Sequence, residues 1–492
     1  MRLAASPSGH LRTFAVGAPA TTTRRKTARS STAQPITPFC PTRAKDGLSI
    51  RPPEGPGGSP TKEGPSSGDL ARPETTATSG VQDQFTTRTL LQLGGASDSC
   101  PWTFGMVRPH TRRGWQGRGD EEKRLDFIPG EPMNTKPVST AQQATSCYFR
   151  TTVEQPYRKA LIQIDERCNL HCVHCFVSAT KRGSSMPLAD VEDILVPRLH
   201  ECRVRRVTLT GGEPTIHPDF LAVVRSFRRA EMDVGVCTNG TDLDEDFIAE
   251  LVEVGGVHVN VSLDGFRPES HGTFRGSRES FFKTVDSIRR LSRAGLLQGL
   301  LCTPNNLAEE DEYRELCEFA VEQGAHYVLM YPLGSMGPGG KSQSRFASSE
   351  EHMQRIYDLT APFEASGLDV VHIRFPNTPG APLAGCEAGT IIYVFTPGEV
   401  TVCPYLVFAA CTPQSKHDPD EFIVGNIFAD SDIAARLDSY SFHDRYRVGA
   451  NPTCGACALA SGCGKGCPAA VISSGERIGA VDAEVCPMTK GT

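Results

Sequence analysis

From about residue 155 the chain alternates short apolar runs with segments whose apolar positions recur every three or four residues. The runs at 161–164, 207–209, 234–237, 257–263, 300–302 and 327–330 read as strands. Between them, Val191, Ile194, Leu195 and Leu199 share one helical face. So do Phe220, Val223, Val224 and Phe227, and later Tyr313, Leu316, Cys317, Ala320 and Val321. Strands alternating with helices predict an α/β fold with parallel strands and right-handed crossovers. Six such units close naturally as a partial (β/α)6, TIM-like barrel, whose chemistry sits at the C-terminal ends of the strands.

The pattern divides the chain. Residues 1–132 are rich in Pro, Gly, Ser, Thr and Arg without apolar periodicity, and are expected to form a disordered N-terminal extension. No acidic residue precedes Asp46, while Arg24, Arg25, Lys26 and Arg29 cluster, as in an organelle transit peptide. A disordered tail, or an upstream stretch before a start at Met133, is the preferred reading. Residues 150–335 form the expected barrel core and 336–380 a linker helix and strand. Within these, 332–348 reads as a Gly/Ser-rich loop, 350–365 as a helix and 370–373 as a strand. Residues 381–492 are a loop-rich, cysteine-rich domain that depends on metal for its shape.

Composition narrows the classes. The 492 residues carry a formal net charge of −6, which argues against nucleic acid or an anionic membrane as the main partner. No apolar run approaches the roughly 20 residues a membrane span needs, and a cytoplasmic location is expected. The 18 cysteines are unevenly placed. Cys202, Cys237, Cys302 and Cys317 lie singly in apolar stretches and read as inert core thiols. The others of interest are clustered, which suggests metal binding in a reducing compartment rather than disulfides.

The first cluster directly follows the first strand. In ERCNLHCVHCF, Cys168, Cys172 and Cys175 are spaced C-x3-C-x2-C. A [4Fe–4S] cube takes four ligands, so three thiolates on one loop leave one iron open to a small molecule. Zinc is the alternative: His171 and His174 could complete such a site, and spacing alone does not exclude it. The loop resembles the C-x3-C-x-Φ-C signature of the radical S-adenosylmethionine (SAM) superfamily, with His174 in the aromatic position. The likeness continues in Gly211-Gly212-Glu213-Pro214 after strand two, similar to the family's GGEP motif. It extends to Thr238-Asn239, to Ser262 and Asp264, to Arg275 and to Asn305. The resemblance implies that Glu213 pairs with the SAM ammonium, that Arg275 reaches its carboxylate, and that the others line the SAM pocket. It implies reductive cleavage of SAM to a 5′-deoxyadenosyl radical that abstracts hydrogen from a substrate C–H bond.

The C-terminal part reads Cys386-x11-Gly398-x4-Cys403, then Cys454-x2-Cys457-x5-Cys463-x3-Cys467, and finally Cys486. This resembles the SPASM extension, which holds two auxiliary [4Fe–4S] clusters and would bring the chain's total to three. The resemblance assigns Cys454, Cys457, Cys463 and Cys486 to one cluster, and Cys386, Cys403 and Cys467 to the other. Cys411 or an open iron would supply that cluster's missing fourth position. Structural zinc knuckles are the alternative. Sulfatase-maturing relatives place an Asp after the second auxiliary cysteine; here Pro404 and Tyr405 follow Cys403, which argues against that activity. Tyr405 is a weak catalytic candidate, a packing role being the plainer one.

Three readings of function follow. The first is an oxidoreductase-type enzyme that crosslinks or oxidises a peptide or protein, served by a flavodoxin- or ferredoxin-type electron donor and a separate peptide-recognition protein. The second is small-molecule oxidation or decarboxylation in cofactor, haem-like or natural-product biosynthesis; CPYL at 403–406 and Gly425-Asn426-Ile427 resemble the haem-maturation branch. The third is a non-catalytic iron–sulfur electron carrier, against which the SAM-lining positions argue.

Overall fold

The computed structural model describes Val153, residues 156–376 and residues 380–489. The expected disordered extension, the transit-peptide alternative and the Met133 start lie outside these residues.

Ten strands form one sheet in the order β10-β9-β8-β1-β2-β3-β4-β5-β6-β7. The sequence-predicted strands are β1 (Arg158–Asp165), β2 (Val204–Gly211), β3 (Asp233–Thr238), β4 (Val257–Ser262), β5 (Leu297–Cys302) and β6 (Tyr327–Met330). They pair in parallel with their nearest neighbours in sequence, as crossover units require. The strand near 370 is β7 (Asp369–His372), and it adds a seventh parallel member beside β6.

The C-terminal part also joins the sheet, which the loop-rich reading of 381–492 did not foresee. β8 (Ile391–Val394) pairs in parallel with β1, Lys159 lying opposite Ile391. β9 (Glu399–Thr401) and β10 (Ile423–Asn426) then extend that edge antiparallel. β1 is therefore an interior strand.

The two sheet faces differ. Ala160, Ile162, Ile164, Val207 and Leu209 on one face are fully buried with Leu195, Val223, Val224 and Phe227 of the helical layer in the main core. The other face carries Lys159, Arg206, Cys237, Asn260 and Tyr327 within electrostatic reach of one another, and the Tyr327 hydroxyl donates to Asn260 Oδ1 at 2.6 Å. The helical layer packs on the first face, so this second, polar face is the inner one of the partial barrel.

Three readings are corrected. Val321 is 41% exposed, outside the stripe formed by Tyr313, Leu316, Cys317 and Ala320. Cys237 is half-buried on the polar inner face, whereas Cys202, Cys302 and Cys317 are core thiols as expected. The Gly/Ser-rich stretch is a helix over Gly337–Phe346, begun by a proline in its first turn. Gly337 lies so close to the Cys175 and Phe176 carbonyls that a methyl group there would meet them at 2.9 and 2.7 Å. No helix among the described residues is long and apolar enough to cross a membrane.

Candidate active site

The parallel strands bring all the SAM-pocket residues of the sequence reading to one end of the sheet. β1 ends at Asp165, whose buried carboxylate accepts from Arg167 Nη2 at 2.7 Å and Ser185 Oγ at 2.6 Å. The cysteine loop starts there. Cys168 N donates to the Thr180 carbonyl, and Val173 N donates to the carbonyl of Phe274 in the helix Ser270–Arg275. Cys168, Cys172 and Cys175 face one another within electrostatic reach. Burial pushes the Cys168 and Cys172 thiols up to about 12, and Cys175 upward as well.

The GGEP segment packs against the root of this loop. Gly212 N donates to the Asp165 carbonyl and Glu213 N to the Arg167 carbonyl, each at 2.8 Å. A Cβ on Gly211 would lie 2.2 Å from the Asp165 carbonyl oxygen, and one on Gly212 only 2.0 Å from that of Arg167. Glycine is needed here for backbone-on-backbone approach. Pro214 starts a short 3-10 turn, and Glu213 lies buried at the junction of β2 and β3. Its carboxylate accepts from Asn239 N at 2.7 Å, Thr238 Oγ1 at 2.7 Å and Thr215 Oγ1 at 2.6 Å. Burial raises its pKa although these donors oppose the shift. Asn239 Nδ2 reaches Asn169 Oδ1 at 2.7 Å, tying β3 to the cysteine loop.

Asp264, beyond the end of β4, gathers a second group. Its Oδ2 accepts from Arg275 Nε at 2.7 Å and lies 3.5 Å from His174 Nε2; its Oδ1 accepts from Thr303 N at 2.8 Å. Burial favours the neutral acid, but the Arg275 guanidinium overrides it and holds the carboxyl below its usual range. Asn305 Nδ2 donates to the Asp264 carbonyl at 2.8 Å, joining β5 to this group. Burial drives His174 down to about 4, so it is neutral at pH 7. Its ring stacks on Phe274, centroids 4.1 Å apart. Arg275 also lies within electrostatic reach of Cys172. Ser262, the last residue of β4, is half-buried at the same end of the sheet. The ion-pair link from Arg275 through Asp264 to the cysteine loop had no signal in the sequence.

Beside His174 opens a small pocket, lined by Phe176, Thr303, Tyr331, Leu333, Met336 and Tyr405 among others. Its walls hold no carboxylate, lysine or arginine. Tyr405 enters it from the helix Pro404–Ala410, of which Cys403 is the N-cap, and its ring lies 5.4 Å from that of Phe176.

The C-terminal cysteines gather as two groups. Cys403 is within electrostatic reach of Cys386 and Cys467, and Cys486 of Cys454 and Cys463. Backbone N–H groups are aimed at many of the motif sulfurs: Leu170 N at Cys168, Leu459 N at Cys457 and Lys465 N at Cys463, each at 3.4 Å. Cys175, Cys403 and Cys486 receive similar bonds. Among the described residues none reaches Cys202, Cys302 or Cys317. Such donors favour thiolate over thiol and tune bound iron–sulfur clusters.

One of the two alternatives for the missing fourth ligand fails. Cys411 is disulfide-bonded. It also caps the far end of the helix whose near end is Cys403, about 12 Å away at 1.5 Å per residue. It is therefore ill placed to complete the site of Cys386, Cys403 and Cys467. Gly425-Asn426-Ile427 forms a clasp: Asn426 Oδ1 accepts from Phe428 N at 2.9 Å and Ile427 N donates to the Gly398 carbonyl at 2.7 Å.

Sequence reasoning also missed Arg374, whose buried guanidinium donates to Asp482 at 2.8 and 3.0 Å and pairs with Glu484. Asp482 Oδ2 in turn accepts from Cys467 N at 2.9 Å. Removing Arg374 strands a buried carboxylate, so Arg374→Met should destabilise the apoprotein by about 3–5 kcal/mol. The pair Arg374→Met with Asp482→Leu should recover most of the loss; thermal denaturation of both variants checks this.

A parallel barrel with a three-cysteine loop after its first strand is an arrangement suited to a [4Fe–4S] cube with one iron left open. Residues 162–320 match the model of the radical SAM superfamily, and the chain carries that domain, with its [4Fe–4S] cluster and SAM as cofactors. Mycofactocin maturase MftC of Mycolicibacterium smegmatis is 28% identical over 326 residues, 64% of this chain and 79% of that protein. Fe-coproporphyrin III synthase of Methanosarcina barkeri is 30% identical over 191 residues, 39% of this chain and 47% of that protein. The structure of Streptococcus suis SuiB bound to SAM shares the fold, with a TM-score of 0.53 at 16% identity over 65% of this chain and 75% of that one.

Proposed function

We propose that this chain is a radical SAM oxidoreductase that matures a peptide by crosslinking or oxidising it. The observation that carries the reading is the trio Cys168, Cys172 and Cys175 at the mouth of the barrel, one residue of which, Cys175, adjoins the Phe176 wall of the pocket. The cluster and SAM, when bound, supply a 5′-deoxyadenosyl radical. The residues of the chain hold, orient and exclude water. Among the described residues no three His, Cys, Asp or Glu side chains converge on a single metal ion. Zinc needs its thiolates at about 2.3 Å from one point, whereas a cube gives each thiolate its own iron.

In this reading Gly211 and Gly212 let the GGEP turn approach the cluster loop, and Glu213 presents a carboxylate to the SAM ammonium. Arg275, held by Asp264, offers positive charge to the SAM carboxylate. Thr238, Asn239, Ser262, Asn305 and His174 complete the wall, Pro214 fixing the turn. Cys454, Cys457, Cys463 and Cys486 hold one auxiliary cluster, and Cys386, Cys403 and Cys467 a second. Their N–H donors tune both clusters to accept an electron from the substrate radical. The uncharged lining of the pocket favours an apolar or aromatic group of the substrate over a charged one, with Tyr405 beside it. Similarity to a maturase over most of that protein's length favours a peptide over a tetrapyrrole, for which the likeness covers less than half of the relative. A low-potential flavodoxin- or ferredoxin-type donor supplies the electron.

The test is anaerobic reconstitution followed by SAM and reductant. About twelve irons per chain and release of 5′-deoxyadenosine are expected. Zinc in place of iron, or no SAM cleavage, would overturn the reading.

A further inference from the structure

The site of Cys386, Cys403 and Cys467 supplies three thiols, and Cys411 does not complete it. Directly after the helix Ile433–Ser439 the chain turns back over this site. His443 Nε2 lies 3.1 Å from the Cys386 carbonyl oxygen. The first residue of that return is Tyr440, which is buried. Arg445 covers one face of its ring, the guanidinium carbon 4.5 Å from the centroid. Its hydroxyl is buried and, among the described residues, has no hydrogen-bond partner. It stands within electrostatic reach of both Cys403 and Cys386. A buried hydroxyl without a partner is uncommon in folded proteins and asks for an explanation, such as a ligand.

We propose that the Tyr440 hydroxyl is the fourth protein group of this auxiliary site and donates a hydrogen bond to the sulfur of the bound cluster. The proposal rests on the auxiliary-cluster reading above. Donation rather than iron ligation follows from the surroundings. The apolar cover, which includes Phe442 and Leu437 in the same core, disfavours a charged phenolate. A protonated phenol is a donor. A donor at cluster sulfur stabilises the reduced, more negative state and so raises the reduction potential. Tyr440 would thus be a positioning and tuning residue, which sets how readily this cluster takes an electron without touching the substrate.

Tyr440→Phe tests this, with wild type beside it. In the reconstituted full chain, the variant should keep the wild-type iron content. At a fixed poise its reduced fraction for this one cluster should fall about tenfold, about 59 mV for one electron. In the apoprotein the sign should reverse: removing a hydroxyl that lacks a partner should raise the Tm. A merely packing Tyr would leave the potential where it was. An unchanged potential with unchanged iron overturns the proposal. So does a loss of iron in the variant, which would make Tyr440 a ligand. Should the variant fail to fold, so that no iron assay can be read, wild-type protein exchanged into D2O still decides. Loss of a tyrosine-derived exchangeable proton coupling to the cluster, seen with ring-labelled tyrosine, supports donation; its absence rejects it. A wild-type chain that holds only about eight irons rejects the cluster reading itself, independently of Tyr440.

Discussion

Cys172→Ala should bring 5′-deoxyadenosine release down to the uncatalysed background, a loss of more than roughly 10^6-fold. The iron content should fall from about twelve to about eight per chain, because only the barrel cluster is lost. The thiol is deep in the site, close to Arg275, and pushed up to about 12 by burial, so no solvent-exposed group can replace it. Cys202→Ala and Cys317→Ala supply the contrast. Both thiols are fully buried and receive no N–H donor among the described residues. Each substitution should lower stability by about 1–2 kcal/mol and leave iron and SAM cleavage intact. Iron assay and product chromatography on the three variants separate ligand thiols from packing thiols. Full SAM cleavage by Cys172→Ala would defeat the assignment of the loop.

The second large effect is expected at Gly212. Its added methyl would lie 2.0 Å from the Arg167 carbonyl oxygen and 2.5 Å from its carbonyl carbon, both backbone atoms. No rotamer change relieves such a contact, and Arg167 immediately precedes the first cysteine of the loop. Gly212→Ala should cost more than about 4 kcal/mol, beyond the common range for single substitutions, and should impair cluster uptake even in protein that folds. Gly255 makes the comparison. It has φ +68, but no atom lies within 4 Å of an added Cβ. Gly255→Ala should therefore cost only the backbone strain of its φ and ψ, about 1–3 kcal/mol, and leave the iron unchanged. Thermal denaturation of apoprotein, followed by iron assay after reconstitution, reads both quantities. Equal melting temperatures for the two variants would show that close backbone approach is not what Gly212 provides.

What the sequence reveals depends on how local each signal is. The strand at 327–330 is legible to the residue because a short apolar run sits between a helical pattern and a Gly/Ser-rich stretch. The cysteine spacings are equally local, and Cys403 does lie within electrostatic reach of Cys386 and Cys467, and Cys486 of Cys454 and Cys463. β8 is also a four-residue apolar run, IIYV, but its partner is β1, and nothing near it announces a parallel neighbour so remote. The helix Gly337–Phe346 is hidden for the opposite reason: GPGGKSQSRF has poor intrinsic helix propensity, and packing against the Cys175–Phe176 backbone overrides it. In the site, Glu213 and Asp264 could be named from their motifs. Their partners could not. Arg275 on Asp264, Asp482 on Cys467 and Tyr440 over Cys403 are meetings of residues separated by turns, strands or whole helices.

The parallel pairing of β1 with β8 has a consequence for synthesis of the chain. The strand that precedes the three-cysteine loop leaves the ribosome roughly 230 residues before its second neighbour. At roughly 5–20 residues per second that interval lasts about 10–50 s. Throughout it, one side of β1 offers unsatisfied amides and carbonyls to any passing strand. A chain stopped short of Ile391 would keep that exposed flank permanently. Expression of the barrel alone should therefore give aggregates, and coexpression of the missing tail in trans should rescue it only in part.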